Sequence, residues 1–271
     1  MEITNPYLLA ALGTGFTFLM TTLGAAMVFF FRKDIKANVQ SIFLGFAAGV
    51  MVAASIWIAA SVWSLLIPAM EQAEELGMIP WLPAAGGFIL GGIFLFGLDH
   101  ALPHLHPGSE KPEGPTSSLK RTTLLVFAVT LHNIPEGMAV GLAFAMSLQT
   151  GASVTLAAAI SLALGIGLQN FPEGAAISLP LKKEGCSNGK AFLYGSLSGI
   201  VEPIAGIATV AIVQGATLVM PWLLSFAAGA MLYVVVEELI PQAHLGEHTH
   251  AGTAGVMFGF LLMMVMDVAL G

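Results

Sequence analysis

The chain has 271 residues, and its 9 Lys and Arg against 16 Asp and Glu give a formal net charge of −7. Charged residues make up only 9% of the chain and hydrophobic residues 56%, whereas soluble domains carry about 25% charged residues. This composition argues against a soluble enzyme, a disordered chain and a nucleic-acid-binding protein, which respectively need a charged surface, low hydrophobicity and a basic footprint.

A helical membrane protein remains, and spans of about 20 residues allow about seven to nine of them. Long apolar runs alternate with charged or Pro/Gly-rich breaks. We predict one domain over residues 1–271 with eight transmembrane helices, at about 6–31, 39–67, 80–102, 120–148, 152–181, 189–213, 220–243 and 251–270.

Three further features concern the processing, the disulfide bonding and the loops of this chain. The start is acidic and shows no clear cleavage site, so we expect the first run to be a retained span. The only cysteine, Cys186, cannot form an intramolecular disulfide. The longest connection, about 103–119, is rich in Pro, Gly, Ser and charge, which predicts a flexible cytoplasmic loop.

Basic residues indicate the orientation in the membrane. Every Lys and Arg lies in, or within two residues of, the break after the first, third or fifth predicted span, and eight spans place these breaks on one side. The opposite side has its own acidic loop, with Glu71, Glu74 and Glu75. The positive-inside rule therefore predicts a multi-pass protein of the cytoplasmic (inner) membrane with both termini outside.

Polar residues interrupt the fourth and fifth predicted helices in the same way. The fourth contains His-Asn-Ile-Pro-Glu-Gly at 132–137, and the fifth contains Gln-Asn-Phe-Pro-Glu-Gly at 169–174, 37 positions later. In each copy the first residue and the Glu are at i and i+4, which places them on one helix face. The Pro of each copy frees a carbonyl four residues earlier, and that carbonyl needs a new partner in lipid.

These residue types indicate a metal site. Glu136, Glu173 and Glu202 lie in the fourth, fifth and sixth predicted helices and bring three carboxylates to membrane depth. Without a Lys or Arg to neutralise them, these carboxylates must take up protons or bind cations. Imidazole, carboxylate and amide oxygen suit zinc and other first-row divalent ions, and the lack of thiolate argues against copper(I). Two adjacent ions bridged by Glu136 and Glu173 would fit this ligand set. Interhelical hydrogen bonding is the competing interpretation for any single Asn or Gln.

With these motifs, together with Glu202-Pro203 and the segment 237–244, the chain resembles the ZIP (Zrt/Irt-like) family of divalent metal transporters, in its GufA-like bacterial branch. The resemblance implies a 3+2+3 arrangement, in which the first three and last three helices are related by a pseudo-twofold axis around the fourth and fifth. It also implies a binuclear metal centre: one position with His132, Glu136, Gln169 and Glu173, and a second with Asn133, Glu136, Asn170, Glu173 and Glu202.

This sequence departs from the pattern of the family at two positions. Asn170 stands where some relatives carry Asp, which removes one negative charge from the second position. Glu237 stands where many relatives have His, which changes the cytoplasmic exit. A lower-affinity exit path is predicted from residues at the cytoplasmic ends of the third and seventh helices, and these are Asp99, Glu237, Glu238, His244 and His248. Met51 and Met70 are interpreted as packing residues rather than ligands.

The sequence therefore predicts uptake of divalent transition metals, zinc first, with Fe²⁺, Mn²⁺, Co²⁺ and Cd²⁺ as further candidates. No nucleotide-binding motif occurs, so gradients or cytosolic chelation must drive transport. The resemblance implies an elevator motion of the fourth and fifth helices. Partners are the metal ion, the lipid bilayer and, as one option, a second copy of the chain. The rivals are an intramembrane metalloenzyme, although no His-Glu-x-x-His occurs, and a selective metal channel.

Overall fold

The computed structural model describes residues 5–30, 37–56, 65–103, 115, 121–149, 154–243 and 250–270, and every regular element among them is helical. In chain order the helices are α1 (Pro6–Ala25), α2 (Met27–Phe30), α3 (Ala37–Ile56), α4 (Leu66–Glu75), α5 (Trp81–Ala101), α6 (Arg121–Ser147), α7 (Leu156–Lys183), α8 (Asn188–Ser198), α9 (Val201–Gly215), α10 (Met220–Val234), α11 (Ile240–Ala243) and α12 (Ala251–Leu270). A 3₁₀ turn at Thr217–Val219 precedes α10, and a π-helical segment at Val235–Leu239 joins α10 to α11. The predicted all-helical fold class is confirmed for these residues.

Local sequence explains where several helices begin and end. Asn5 caps α1 by accepting from the N–H of Tyr7 at 2.9 Å, and Pro6 follows at the first helical position. After α7 the chain reverses at Gly185, whose φ of +90° suits glycine. The N–H of Cys186 then bonds to the carbonyl of Leu181 at 3.0 Å, which is the Schellman ending of a helix.

Among the described residues, four helical segments are long and apolar enough to cross a bilayer, judged by length and composition. They are Pro6–Phe30, Trp81–Ala101, Asn188–Gly215 and Thr217–Leu239. Two shorter apolar helices cover Ser41–Ala54 and Ala251–Met266. The chain is therefore a polytopic helical membrane protein.

Three predicted spans contain breaks that the apolar pattern did not indicate. Within 6–31 a turn at Ala26 separates α1 from α2, whereas within 39–67 the residues 57–64 between α3 and α4 lie outside the described part. Within 189–213 the helix turns at Gly199 and Ile200 between α8 and α9. Within 220–243 the π-helical segment adds a residue to one turn, as the bond from Ile240 N–H to Val235 O shows.

Four helix pairs carry the main packing: α1 with α7, α9 with α6, α3 with α12, and α10 with α5. We call α1, α6, α7 and α9 the α6/α7 group, and α3, α5, α10 and α12 the α3/α12 group. In all four pairs a glycine lets the helices approach so closely that an added Cβ would collide with a main-chain carbonyl of the partner helix. One such contact from each pair is Gly174 with Thr21, Gly137 with Glu202, Gly49 with Val256, and Gly91 with Phe226.

The ends of several helices meet where basic residues collect in the sequence. Lys182 Nζ donates to the Val28 carbonyl at 3.1 Å, which joins the end of α7 to α2. Val28 also packs in a small apolar cluster with Leu124 at the start of α6, Leu181 of α7 and Ala191 of α8. The chain segments next to all three basic breaks therefore lie at one end of the molecule.

Candidate metal centre

The two copies of the repeat meet where α6 packs against α7. The side-chain amide of Gln169 donates to Glu136 Oε1 at 2.6 Å, so the first residue of the second copy contacts the Glu of the first. Six of the seven side chains predicted to bind metal are buried, and Glu173 is half-buried. The helical spacing of the repeat thus brings polar side chains together inside the protein.

Side-chain amides connect two of the three carboxylates. Gln169 Nε2 also donates to Asn170 Oδ1 at 3.2 Å, and Asn170 Nδ2 donates to Glu202 Oε2 at 2.9 Å. No Lys or Arg occurs between positions 122 and 181 to neutralise these carboxylates. Neutral amide donors therefore occupy the space between Glu136 and Glu202, where a buried carboxylate pair needs either hydrogen bonds or a cation.

The break between α8 and α9 fixes the orientation of Asn133. Pro203 has no N–H, and the N–H of Glu202 bonds to Gly199 O at 3.1 Å instead of to the carbonyl four residues earlier. That carbonyl, on Ser198, accepts from Asn133 Nδ2 at 3.2 Å. Because the amide nitrogen is held by Ser198, Asn133 presents its oxygen on the opposite side.

His132 contacts a carboxylate from the other helix group. Its Nδ1 lies 2.5 Å from Oε2 of Glu238, which belongs to the π-helical segment, and both side chains are buried. Glu136 and Glu173 line the same small cavity as this pair, together with Met51 of α3. The cavity therefore lies between the α6/α7 group and the α3/α12 group.

Three oxygens at the centre have no hydrogen-bond partner among the described residues. They are Asn133 Oδ1, Glu136 Oε2 and Gln169 Oε1, and all three are buried. A buried acceptor without a donor is costly, and three of them on adjacent helices form a set of oxygens that can coordinate a cation. The donor set thus fits a hard or borderline divalent ion.

The acidic and imidazole groups alone do not form a complete metal site. Within the described ranges, no three His, Cys, Asp or Glu side chains are grouped so as to hold an ion. Amides stand between the carboxylates, with Gln169 on Glu136 and Asn170 on Glu202. Metal binding at this centre therefore requires amide oxygens as ligands, or rotation of these side chains.

The residues predicted for an exit path separate into three groups. Glu238 is buried against His132, whereas the neighbouring Glu237 is exposed. Asp99 is buried at the end of α5. His244 and His248 lie outside the described residues, as does most of the predicted loop 103–119.

Sequence reasoning missed three contributors to the centre. Thr21 of α1 donates to Glu202 Oε1 at 3.2 Å, Ser198 supplies the carbonyl that holds Asn133, and Met51, which packs in the apolar core, also lines the cavity. Thr14, Thr17 and Thr21 occur at helical spacing in an apolar run, and this polar stripe was the signal that could have identified Thr21.

Comparisons with known proteins show which family this chain resembles. The family model described as "ZIP Zinc transporter" matches residues 109–267. The chain is 37% identical to the zinc transporter ZIP11 of Homo sapiens, over 97% of both chains. It is 39% identical to the zinc transporter ZIPB of Bordetella bronchiseptica, over 97% of this chain and 81% of that protein. It is 40% identical to the zinc transporter GufA of Myxococcus xanthus, over 77% of this chain and 80% of that protein.

Proposed function

Because the chain belongs to the ZIP zinc transporter family, we propose that it carries divalent transition-metal ions, zinc first among them, through its membrane. As a member of this family it is a transporter and not an enzyme, so the interpretation as an intramembrane metalloenzyme is set aside. The observation that carries the proposal is the set of three unpartnered oxygens on Asn133, Glu136 and Gln169. These atoms are buried acceptors without a donor, and cations bound at the centre would supply the missing partners.

Two ions share this centre in our proposal. The first position uses His132, Glu136, Gln169 and Glu173, and the second uses Asn133, Glu136, Asn170, Glu173 and Glu202. Gln169 supports the first position because its amide oxygen is buried and unpartnered while its nitrogen bonds to Glu136. At the second position Asn170 must turn its oxygen toward the ion and release Glu202 Oε2. The second position therefore costs more rearrangement than the first.

We also propose eight membrane crossings in the 3+2+3 arrangement. Helices α6 and α7 have 27 and 28 residues, which at 1.5 Å per residue exceeds the apolar thickness of a bilayer. The first three crossings contain α1, α3 and α5, the fourth and fifth are α6 and α7, and the last three contain α9, α10 and α12. Exchanging the first, second and third crossings with the sixth, seventh and eighth, and the fourth with the fifth, converts the α1–α7 contact into α9–α6. The same exchange converts α3–α12 into α10–α5. The four main packing pairs thus support the pseudo-twofold relation.

An elevator motion is our proposed mechanism. Within each helix group, glycines bring main chains into direct contact, as at Gly137 with Glu202, and such contacts resist sliding. Between the groups, a Cβ added at Gly165 of α7 would meet the side chain of Met263 instead. Flexible thioether contacts adapt to movement more easily than main-chain contacts do. The α6/α7 group can therefore move against the α3/α12 group with the ion bound to it.

The ion leaves toward the cytosol in this proposal. Glu238 follows α10 of the α3/α12 group and contacts His132. Ala243, five residues later, lies against Gly252 at the start of α12, and Gly252 packs against Gly45 in the first half of α3. The break before α3 carries Arg32, Lys33 and Lys36, so this end is cytoplasmic by the positive-inside rule. Glu238 would then receive the ion from His132, with Asp99, Glu237, His244 and His248 further along. The inner membrane and outside termini follow from the same rule.

Proteoliposome uptake tests the proposal with a panel of Zn²⁺, Cd²⁺, Fe²⁺, Mn²⁺ and Co²⁺. We expect saturable zinc uptake for the wild type, and a loss of about a hundredfold for Glu136→Ala because removal of metal-site groups costs up to this factor. The matched control is Glu184→Ala, which removes a carboxylate at the end of α7 outside the centre. Unchanged saturable uptake by Glu136→Ala would remove the centre from the transport path. Flux without saturation would support the channel alternative.

A further inference from the structure

Helix α1 contributes no residue to the proposed metal ligands, yet it contacts one of them. Thr21 is fully buried, and its hydroxyl lies 3.2 Å from Glu202 Oε1. Thr17, one turn earlier on α1, is also fully buried and lies close enough to Glu202 to contribute to the electrostatic environment of its carboxylate. Two hydroxyls from a helix outside the repeat therefore converge on one carboxylate.

The hydrogen bonds along α1 change in length where Glu202 comes within reach. Buried Thr hydroxyls in helices normally donate to a carbonyl three or four residues earlier. Thr14 does so at 2.6 Å, Thr17 at 2.9 Å and Thr21 at 3.2 Å. A hydroxyl has one proton to donate. The longer bond at Thr21 is the one expected when this proton is shared with the carboxylate.

Glycines on the neighbouring helices make room for this contact. A Cβ at Gly199 would lie 3.0 Å from Thr21 Oγ1 and 3.1 Å from Glu202 Oε1, so a larger residue would press on both groups. A Cβ at Gly174 would collide with the carbonyl of Thr21, so this glycine brings α1 close to α7. Close helix packing therefore places the threonine hydroxyls of α1 next to Glu202.

The two oxygens of Glu202 are held by different elements. Thr21 contacts Oε1, and Asn170 donates to Oε2 at 2.9 Å. When the proposed second ion binds, Asn170 must release Oε2, whereas nothing in that step requires the threonines to release Glu202. We propose that Thr17 and Thr21 are positioning residues, whose hydroxyls keep Glu202 aimed at the second metal position throughout this exchange. The inference rests on the proposed transport function.

Zinc binding by the purified full-length protein, measured by equilibrium dialysis with ⁶⁵Zn²⁺, provides a readout apart from transport. For Thr17→Val/Thr21→Val we expect the second zinc equivalent to bind at least about tenfold more weakly, as loss of a hydrogen bond to a charged group implies, and the first to be unchanged. Thr17→Ser/Thr21→Ser retains both hydroxyls and should restore wild-type affinity. Thr14→Val is the matched control, because its hydroxyl donates to the Ala10 carbonyl.

A double-mutant cycle separates positioning from packing. In a Glu202→Gln background the valine substitutions should cause no further loss of zinc affinity, because the carboxylate that they position is gone. An equal loss in both backgrounds would overturn the inference, as would normal second-equivalent binding by the valine variant. If the double variant does not fold, Thr21→Val and Thr21→Ala serve in the same cycle.

The outcomes also distinguish this inference from the proposed function. If the wild type binds no zinc, or if Glu136→Ala binds zinc as the wild type does, the proposed centre itself is wrong. If the wild type binds a single equivalent, the second position does not exist and the positioning role is overturned while the first position stands. If the wild type binds two zinc equivalents and the valine variant binds both with wild-type affinity, only the proposed role of the threonines is overturned.

Discussion

The two copies of the repeat share a sequence pattern but differ in their partners. In the first copy His132 contacts Glu238, and Asn133 donates to the Ser198 carbonyl. In the second copy Gln169 contacts Glu136, and Asn170 donates to Glu202. Helical spacing places equivalent positions on equivalent faces, but the surrounding helices decide whether a side chain meets a carbonyl, an amide or a carboxylate.

The glycine that ends each copy of the repeat, in contrast, has the same role in both copies. Gly137 packs against the main chain of Glu202 in α9, and Gly174 packs against the main chain of Thr21 in α1. Each glycine brings in the helix that completes its side of the centre. The two copies of the repeat therefore share a close helix contact at their glycine but differ in their polar contacts.

The largest effect is expected from substitutions that prevent this close helix contact. In Gly137→Ala and Gly174→Ala the new Cβ would meet a main-chain carbonyl that cannot move without separating the helices. We expect each substitution to cost at least about 3 kcal/mol of stability, the upper range for overpacking. Size-exclusion yield and thermal unfolding in detergent measure this loss.

The control for the glycine variants is Gly15→Ala on α1, where an added Cβ has no neighbour within 4 Å. This variant should be as stable as the wild type or slightly more stable, because alanine favours helix by about 1 kcal/mol over glycine. Normal stability of Gly137→Ala would mean that the close approach of α6 and α9 is not required.

A smaller effect is expected from exchanging the first residues of the copies. His132→Gln removes the imidazole and its contact with Glu238, and we expect zinc kcat/KM to fall about a hundredfold. Gln169→His retains a donor toward Glu136 and should cost about tenfold. Proteoliposome uptake measures both.

The double exchange tests whether the copies are equivalent. With His at 169 and Gln at 132, Glu238 still faces position 132. The double variant should therefore transport no better than His132→Gln alone. Recovery to wild-type rates would show that the two positions are interchangeable and that their different neighbours do not matter.

Much of this centre could be predicted from sequence, because its key residues repeat at helical spacing within apolar runs. The contribution of Glu238 could not be ranked above that of Glu237, because which of two adjacent residues faces inward depends on the helix register. Here a π-helical turn, followed by Pro241, sets that register. The break before Glu202 was also hidden, since α8 and α9 form one continuous apolar run. Contacts made across helices, such as Thr21 with Glu202, depend on packing that no local pattern encodes.

The smallest of the three effects should differ in sign between the two asparagines. In Asn170→Asp the donor to Glu202 Oε2 becomes a second carboxylate, so the site gains charge that only a cation can balance. We expect the second zinc equivalent to bind about tenfold more tightly, in line with the value of a contact to a charged group. In Asn133→Asp the donor to the Ser198 carbonyl is lost, and a carboxylate would face that carbonyl. We expect weaker zinc binding and a lower unfolding temperature. Zinc titration of the two variants decides the comparison, because equal shifts in affinity would mean that the copies respond to charge alone and that their different hydrogen-bond partners do not shape the centre.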